Sequence, residues 1–87
     1  MAWYRVAYRP TILVDLARPE PSMAQRLLDK TKWIASNIDN LRHEPIARDL
    51  SGLSKYAIED WRIFYSIDRN DNVVDFHGIV HRRELRS

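Results

Sequence analysis

From Lys55 onward the sequence gathers side chains that could hold an anion and move a proton: Lys55, Arg62, His77, His81, Arg82, Arg83 and Arg86. The closing stretch His81-Arg82-Arg83-Glu84-Leu85-Arg86 sets three arginines and one histidine against a single glutamate. Arginine presents a planar fork of N–H donors that matches phosphate oxygens and keeps its charge at physiological pH. Histidine changes charge near neutrality, which makes it a natural acid–base partner for such a grip. Together these residue types point to chemistry at a phosphate or a similar anion. The competing reading is a solvated basic end with no site at all. His77 and His81 have the same strand parity, so an unbroken strand would set both on one face. Gly78 between them is a place where a bulge would break that register. His43 lies in a loop further upstream and is expected to be exposed. Three histidines so dispersed make no convincing metal site, and no metal or cofactor is expected.

These groups need a scaffold, and the first half of the chain supplies helices. Trp3 to Tyr8 is an alternating run of aromatic and β-branched residues, ended by Arg9-Pro10, and reads as a strand. Pro10 suits the first turn of a helix, on which Ile12, Leu13 and Leu16 would form one apolar face. Arg18-Pro19-Glu20-Pro21 makes a stiff corner, because proline disfavours helix in the residue before it. Ser22 followed by Gln25 fits a capping box at the start of a longer helix. Met23, Leu27, Leu28, Thr31, Ile34, Ala35 and Ile38 then recur at helical spacing along one stripe. Asn37, Asp39, Asn40 and Pro45 close that helix, giving an antiparallel helical hairpin with one shared apolar face.

The second half has the period of strands. Ser51-Gly52 is a turn signal, Lys55 to Ile58 a short alternating run, Glu59-Asp60 a turn, and Trp61 to Ile67 the strongest strand. Asp68 to Asn72 is a turn cluster before a last strand, Val73 to Val80. Three strands with short connections form an antiparallel meander. The expected class is therefore α+β: an N-terminal strand, a two-helix hairpin and a three-strand meander, in a curled antiparallel sheet with the helices on one face. Trp61, Ile63, Tyr65 and Ile67 would lie under the helices, with Tyr56 and Ile58 beside them. Arg62, Phe64 and Ser66 would then face outward, and Lys55 and Ala57 would join them on the open surface.

Bulk composition sets outer limits. A chain of 87 residues with 45% hydrophobic and 30% charged residues makes one domain over 1–87, not a disordered chain. A single core this small is marginal, so a partner protein could add to its stability. The absence of cysteine excludes a disulfide scaffold and a thiol nucleophile, and fits a cytoplasmic location. No apolar run approaches the roughly 18 residues of a membrane span, and the opening residues lack the apolar segment of a secretory leader. A net charge of +2 permits a polyanionic partner without demanding one.

Three segments in order carry a family resemblance. These are Leu50-Ser51-Gly52-Leu53, then Asp60-Trp61-Arg62-Ile63-Phe64-Tyr65-Ser66-Ile67-Asp68, then Gly78-Ile79-Val80-His81-Arg82-Arg83-Glu84-Leu85. They resemble the RelE/ParE toxin family, whose members share a leucine-glycine turn, an aspartate-aromatic-arginine strand and a late histidine-arginine-arginine-glutamate run. The resemblance implies the toxin of a type II toxin–antitoxin system, held by a cognate antitoxin in a hetero-oligomer. In the RelE branch such a toxin enters the ribosome and cuts messenger RNA without a metal, through attack of a ribose 2′-oxygen on the adjacent phosphate. In the ParE branch the same fold inhibits DNA gyrase and cuts no RNA. A third possibility is an inactive member that only binds antitoxin.

On the nuclease reading the resemblance gives each residue a role. Arg62 matches the strand arginine that holds the scissile phosphate, against a structural alternative of pairing with Asp60 or Asp75. Arg82 matches the late arginine that clamps the phosphate. Lys55 matches a basic position on the preceding strand, where nearby arginines would fit it to accept a proton; the alternative is a solvated lysine. His81 is the replacement acid–base group, because Ala57 stands where the family keeps a second basic residue and Arg86 about where it keeps a tyrosine. Arg83, Arg86, Phe64 and His77 are assigned to RNA binding, Phe64 by stacking on a base or, alternatively, by packing on a strand or the antitoxin.

Overall fold

The computed structural model describes residues 3–46 and 52–85. Its strands are β1 (Arg5–Tyr8), β2 (Glu44–Pro45), β3 (Ser54–Ile58), β4 (Trp61–Asp68) and β5 (Val73–His81), and its helices α1 (Thr11–Leu16) and α2 (Pro21–Ser36). Short 3₁₀ turns follow α2 at Ile38–Asn40 and β5 at Arg82–Leu85. The strands form one curled, unclosed sheet in the order β1-β5-β4-β3-β2. This is the expected α+β class, with the meander β3-β4-β5 at its centre. β1 adds to that meander in parallel with β5, whereas the other pairings are antiparallel. The two-residue β2 was not foreseen; its Pro45 is tolerated because an edge strand needs no ladder donor on its outer side.

The core forms where the helices meet the sheet. Ile12, Leu27, Ile34, Ala35 and Ile38 pack with Ile63, Tyr65, Val74, Phe76 and Ile79, while Trp61, Ile67, Tyr56 and Ile58 flank them. The expected stripe on α2 therefore faces the sheet. Its buried Thr31 is satisfied: the hydroxyl donates to the Leu28 carbonyl at 2.6 Å and lies 2.8 Å from the Tyr8 hydroxyl. Two helix details differ from expectation. Pro21 occupies the first turn of α2 and Glu20 precedes it, so Ser22 is already inside the helix and forms no capping box. Gln25 instead donates to Asp29 at 2.8 Å. On α1, Ile12 and Leu16 lie one turn apart and face the core, but Leu13 points away and is 78% exposed.

His43 also departs from expectation: it is a tie between loop and core. Its Nε2 lies 2.8 Å from the Ile38 carbonyl and its Nδ1 2.7 Å from the Tyr65 hydroxyl. A carbonyl only accepts, so Nε2 carries the proton of the neutral ring and Nδ1 receives the Tyr65 O–H. Burial pushes the Tyr65 phenol up to about 12, with the neighbouring Tyr56 adding to the effect, so Tyr65 remains a donor at neutral pH.

β5 is flanked differently along its length. Val73 to Phe76 have β1 on one side and β4 on the other. Beyond them β1 has ended, and α1 takes its place. The Thr11 hydroxyl donates to the His77 carbonyl at 3.1 Å, and the Asp15 carboxylate accepts the Ile79 N–H at 2.9 Å. Replacing Asp15 by alanine leaves that half-buried N–H without its acceptor, and should lower stability by about 1–3 kcal/mol in chemical denaturation; an unchanged midpoint would show that water replaces the carboxylate.

Candidate functional site

The two-residue turn between β3 and β4 is where the predicted arginines meet. So tight a turn needs positive φ, and Glu59 supplies it at 51°. Arg62 leaves the sheet one residue past this turn and folds back on it, donating to the Glu59 carbonyl at 2.8 Å and the Trp61 carbonyl at 2.9 Å. Arg82 reaches the same turn from the end of β5. Its backbone N–H donates to the Asp60 carbonyl at 2.7 Å, and its guanidinium Nε lies 3.3 Å from the Asp60 carboxylate. Arg62 pairs with neither Asp60 nor Asp75, since Asp60 is held by Arg82 and Asp75 by Arg9 at 3.1 Å. Asp60, His81, Arg82 and Arg83 line a cleft of about 410 Å³ beside the turn. The His81 Nδ1 accepts the Arg83 N–H at 3.2 Å, so the neutral ring carries its proton on Nε2.

Lys55 and Phe64 are direct partners across β3 and β4, as are Ala57 and Arg62. Tyr56 and Ile58 pack toward the core, so alternation places Lys55, Arg62 and Phe64 on one open face. Lys55 pairs with Glu44 of β2 at 3.7 Å. Further along the face the Ser66 hydroxyl lies 2.8 Å from the His77 Nε2. A bulge opposite Phe64 and Tyr65 gives β5 one extra residue there, since Tyr65 pairs with Phe76 and Phe64 with Gly78. It reverses parity along β5: Val74 and Phe76 are buried before it and Ile79 after it. His77 therefore stays on the open face, while His81 turns to the helix side and meets the Trp61 ring edge-on at 5.2 Å.

The structure thus brings His81, Arg82 and Arg83 into one cleft, with Arg62 anchored to the turn that borders it. Lys55 and Phe64 lie on the open face beyond Arg62, and His77 further still; Arg86 lies outside the described residues. Asp60, which holds Arg82, was not foreseen as part of the site. Its signal was its place in a hairpin turn whose register puts Trp61 opposite His81. Among the described residues no group of three His, Asp or Glu side chains is placed to hold a metal ion, and no helix is long and apolar enough to cross a membrane.

Solved structures share this architecture. The chain matches the RelBE2 toxin–antitoxin complex from Mycobacterium tuberculosis with a TM-score of 0.78 at 23% identity, covering 91% of this chain and 98% of that one. It matches the isolated Escherichia coli RelE toxin with a TM-score of 0.72 at 12% identity over 90% and 83% of the two chains. For the archaeal RelE–RelB complex from Pyrococcus horikoshii the values are 0.69 and 19%, over 92% and 96%. The fold is that of the RelE-like toxins. At the level of sequence, the family described as the ParE toxin of type II toxin–antitoxin systems, parDE, matches residues 6–86. The chain belongs to this family, within the RelE/ParE superfamily, and is a toxin of a type II toxin–antitoxin system. No match was found among curated proteins.

One histidine of the site has a perturbed pKa. Partial burial, and then the charge of Arg9, hold His77 below its ordinary value, while Asp75 opposes them. Its contribution to stability is therefore present above the ordinary histidine value and is lost as pH falls through the lower folded value. In an NMR titration the His77 ring should show a midpoint below about 6.5, and Arg9→Ala should raise it only in part, because burial is the larger cause. A midpoint at or above the ordinary value would mean that the ring is neither desolvated nor sensitive to Arg9.

Proposed function

We propose that this toxin is a metal-independent endoribonuclease that cuts messenger RNA on the ribosome and so arrests translation. The observation that carries this reading is the convergence of Arg62 and Arg82 on one turn, beside a cleft that also holds His81 and Arg83. Arg82 is two-thirds exposed on its ion pair, and an exposed pair of this kind contributes only about 0–1 kcal/mol. Exchange of Asp60 for a phosphate is therefore cheap. With the scissile phosphate between Arg82 and Arg62, the ribose 2′-oxygen forms a bond to phosphorus and the bond to the 5′-oxygen breaks. A 2′,3′-cyclic phosphate and a free 5′-hydroxyl result. His81 takes the proton leaving the 2′-hydroxyl, the 5′-oxygen gains one from water, and the arginines hold the charge of the phosphorane. Lys55, which lies on the opposite face of the sheet from His81, is left to bind flanking RNA backbone.

Arg83 adds a second guanidinium to the cleft, Arg86 follows it in the sequence as a further cation for RNA, and Phe64 and His77 extend the open face along which flanking nucleotides would run. Aromatic stacking on Phe64 would be worth roughly 1–3 kcal/mol per base. The cognate antitoxin is the proposed cytoplasmic partner, in a hetero-oligomer; a RelE–RelB pairing is what the Pyrococcus horikoshii structure is described as. A second reading, inhibition of DNA gyrase without cleavage, is favoured by the match to the ParE family. It is favoured too by Ala57, which stands opposite Arg62 where a second basic residue would serve a nuclease.

Expression of the wild type beside Arg62→Ala and Arg82→Ala, with primer extension on messenger RNA, tests the proposal. Growth arrest with new 5′ ends inside reading frames is expected for the wild type, and a rate about 10²–10³-fold lower for each variant. Arrest without new ends, together with lost DNA supercoiling, would move the assignment to gyrase. Asp60→Asn, which frees Arg82, should tighten binding of a short oligoribonucleotide about twofold to fivefold in fluorescence anisotropy at low salt; weaker binding would place Asp60 in support of the cleft rather than in competition with the phosphate.

A further inference from the structure

One carboxylate connects the cleft to the helices. Glu84 accepts the His81 N–H at 2.8 Å through Oε1, and the same oxygen is ion-paired with Arg18. Arg18 stands at the α1–α2 corner ahead of Pro19 and Pro21, with its guanidinium carbon 5.6 Å from the centre of the Trp61 ring. His81 meets that ring from its edge. Arg18, Trp61, His81, Arg83 and Glu84 line a second cleft of about 260 Å³, which shares His81 and Arg83 with the first.

The turn Arg82–Leu85 buries none of its residues, so packing does little to hold it. Among the described residues the ties that reach beyond β5 are Arg82 to Asp60 and Glu84 to Arg18, while Glu84 and Arg83 also bond His81 just ahead of the turn. The first includes the guanidinium that a phosphate would claim. Once Arg82 turns to substrate, the side-chain half of that tie is lost, and the Glu84 tie remains. Glu84 is suited to this: the hydrogen bond from Arg18 first, and that from the His81 N–H second, hold its carboxyl below the usual carboxylate range, so it stays ionised at neutral pH. Its partner is fixed by two prolines and an aromatic face instead of swinging on a free loop.

We propose that Glu84, acting through Arg18 and the His81 N–H, is a positioning residue that keeps His81, Arg82 and Arg83 in register with the phosphate during the reaction. This rests on the nuclease reading. Glu84 touches no reacting atom; it sets where the groups that do will stand, and small misplacement of such groups costs rate steeply.

The test compares wild type, Glu84→Ala, Arg18→Ala, the double variant and Arg18→Lys. It reads cleavage kinetics, melting midpoint and backbone amide order parameters. Each alanine variant should lose about tenfold to a hundredfold in kcat with KM and melting midpoint nearly unchanged. The double variant should be no worse than the poorer single one, and Arg18→Lys should recover most of the rate. In Glu84→Ala the amides of Arg82 to Leu85 should fall from about 0.85 to below about 0.6. Amides that stay ordered, or a rate loss matched by a comparable loss of melting midpoint, would overturn the positioning role. So would alanine variants that cleave as fast as a wild type whose Arg82→Ala variant is inactive, and that result would leave the nuclease reading intact. A wild type that cuts no RNA would sink the nuclease reading and this role with it.

Discussion

The hydrogen-bonding demand of β5 organises the molecule. A strand buried on both sides must satisfy donors and acceptors along both edges, and β4 alone covers one of them. β1 satisfies the other edge as far as Phe76 and then stops. Beyond Phe76, side chains of α1 take the His77 carbonyl (Thr11) and the Ile79 N–H (Asp15), and Glu84 takes the His81 N–H. That handover from strand to helix brings α1 against the sheet edge. It thereby brings the corner at Arg18 within reach of the end of β5. The bulge at the same level lets β5 change face, so that His77 and His81, four residues apart, serve opposite sides of the sheet.

The candidate cleft is built on this frame with few apolar contacts. Arg62 is held by backbone carbonyls and Arg82 by the Asp60 carboxylate, not by burial. Such contacts are individually weak in water, which is a property a binding site for a polyanion can use: partners that cost little to release can be traded for phosphate oxygens. Lys55 on Glu44 and Arg82 on Asp60 follow the same rule. His43 shows the opposite arrangement. Its two hydrogen bonds tie the loop before β2 to the core through Tyr65, and so set the strand from which Glu44 meets Lys55.

Much of this was legible in the residue order. The alternation of Trp61 to Ile67 assigned both faces of β4, and the stripe from Leu27 to Ile38 assigned the buried side of α2; in each case local periodicity is repeated often enough to outweigh single exceptions. The late histidine-arginine-arginine-glutamate run pointed to the family. Short elements were less legible. Six residues of α1 leave too little periodicity to tell Leu13 from Leu16, and Pro21 overrode the capping signal at Ser22 because a proline in the first turn moves the helix start ahead of the cap.

By itself the sequence determined the class of fold, the order of its elements, the faces of β4 and the family, because these depend on patterns repeated between near neighbours. Tertiary structure alone decided that β1 runs parallel to β5, that His43 is held and not free, that His81 turns from the open face, and that Asp60, Arg18 and Glu84 belong with the cleft. Arg18 and Glu84 are 66 residues apart in the chain. No local pattern encodes a contact of that separation, which exists only once the corner of the helices and the end of the last strand have been brought to the same place.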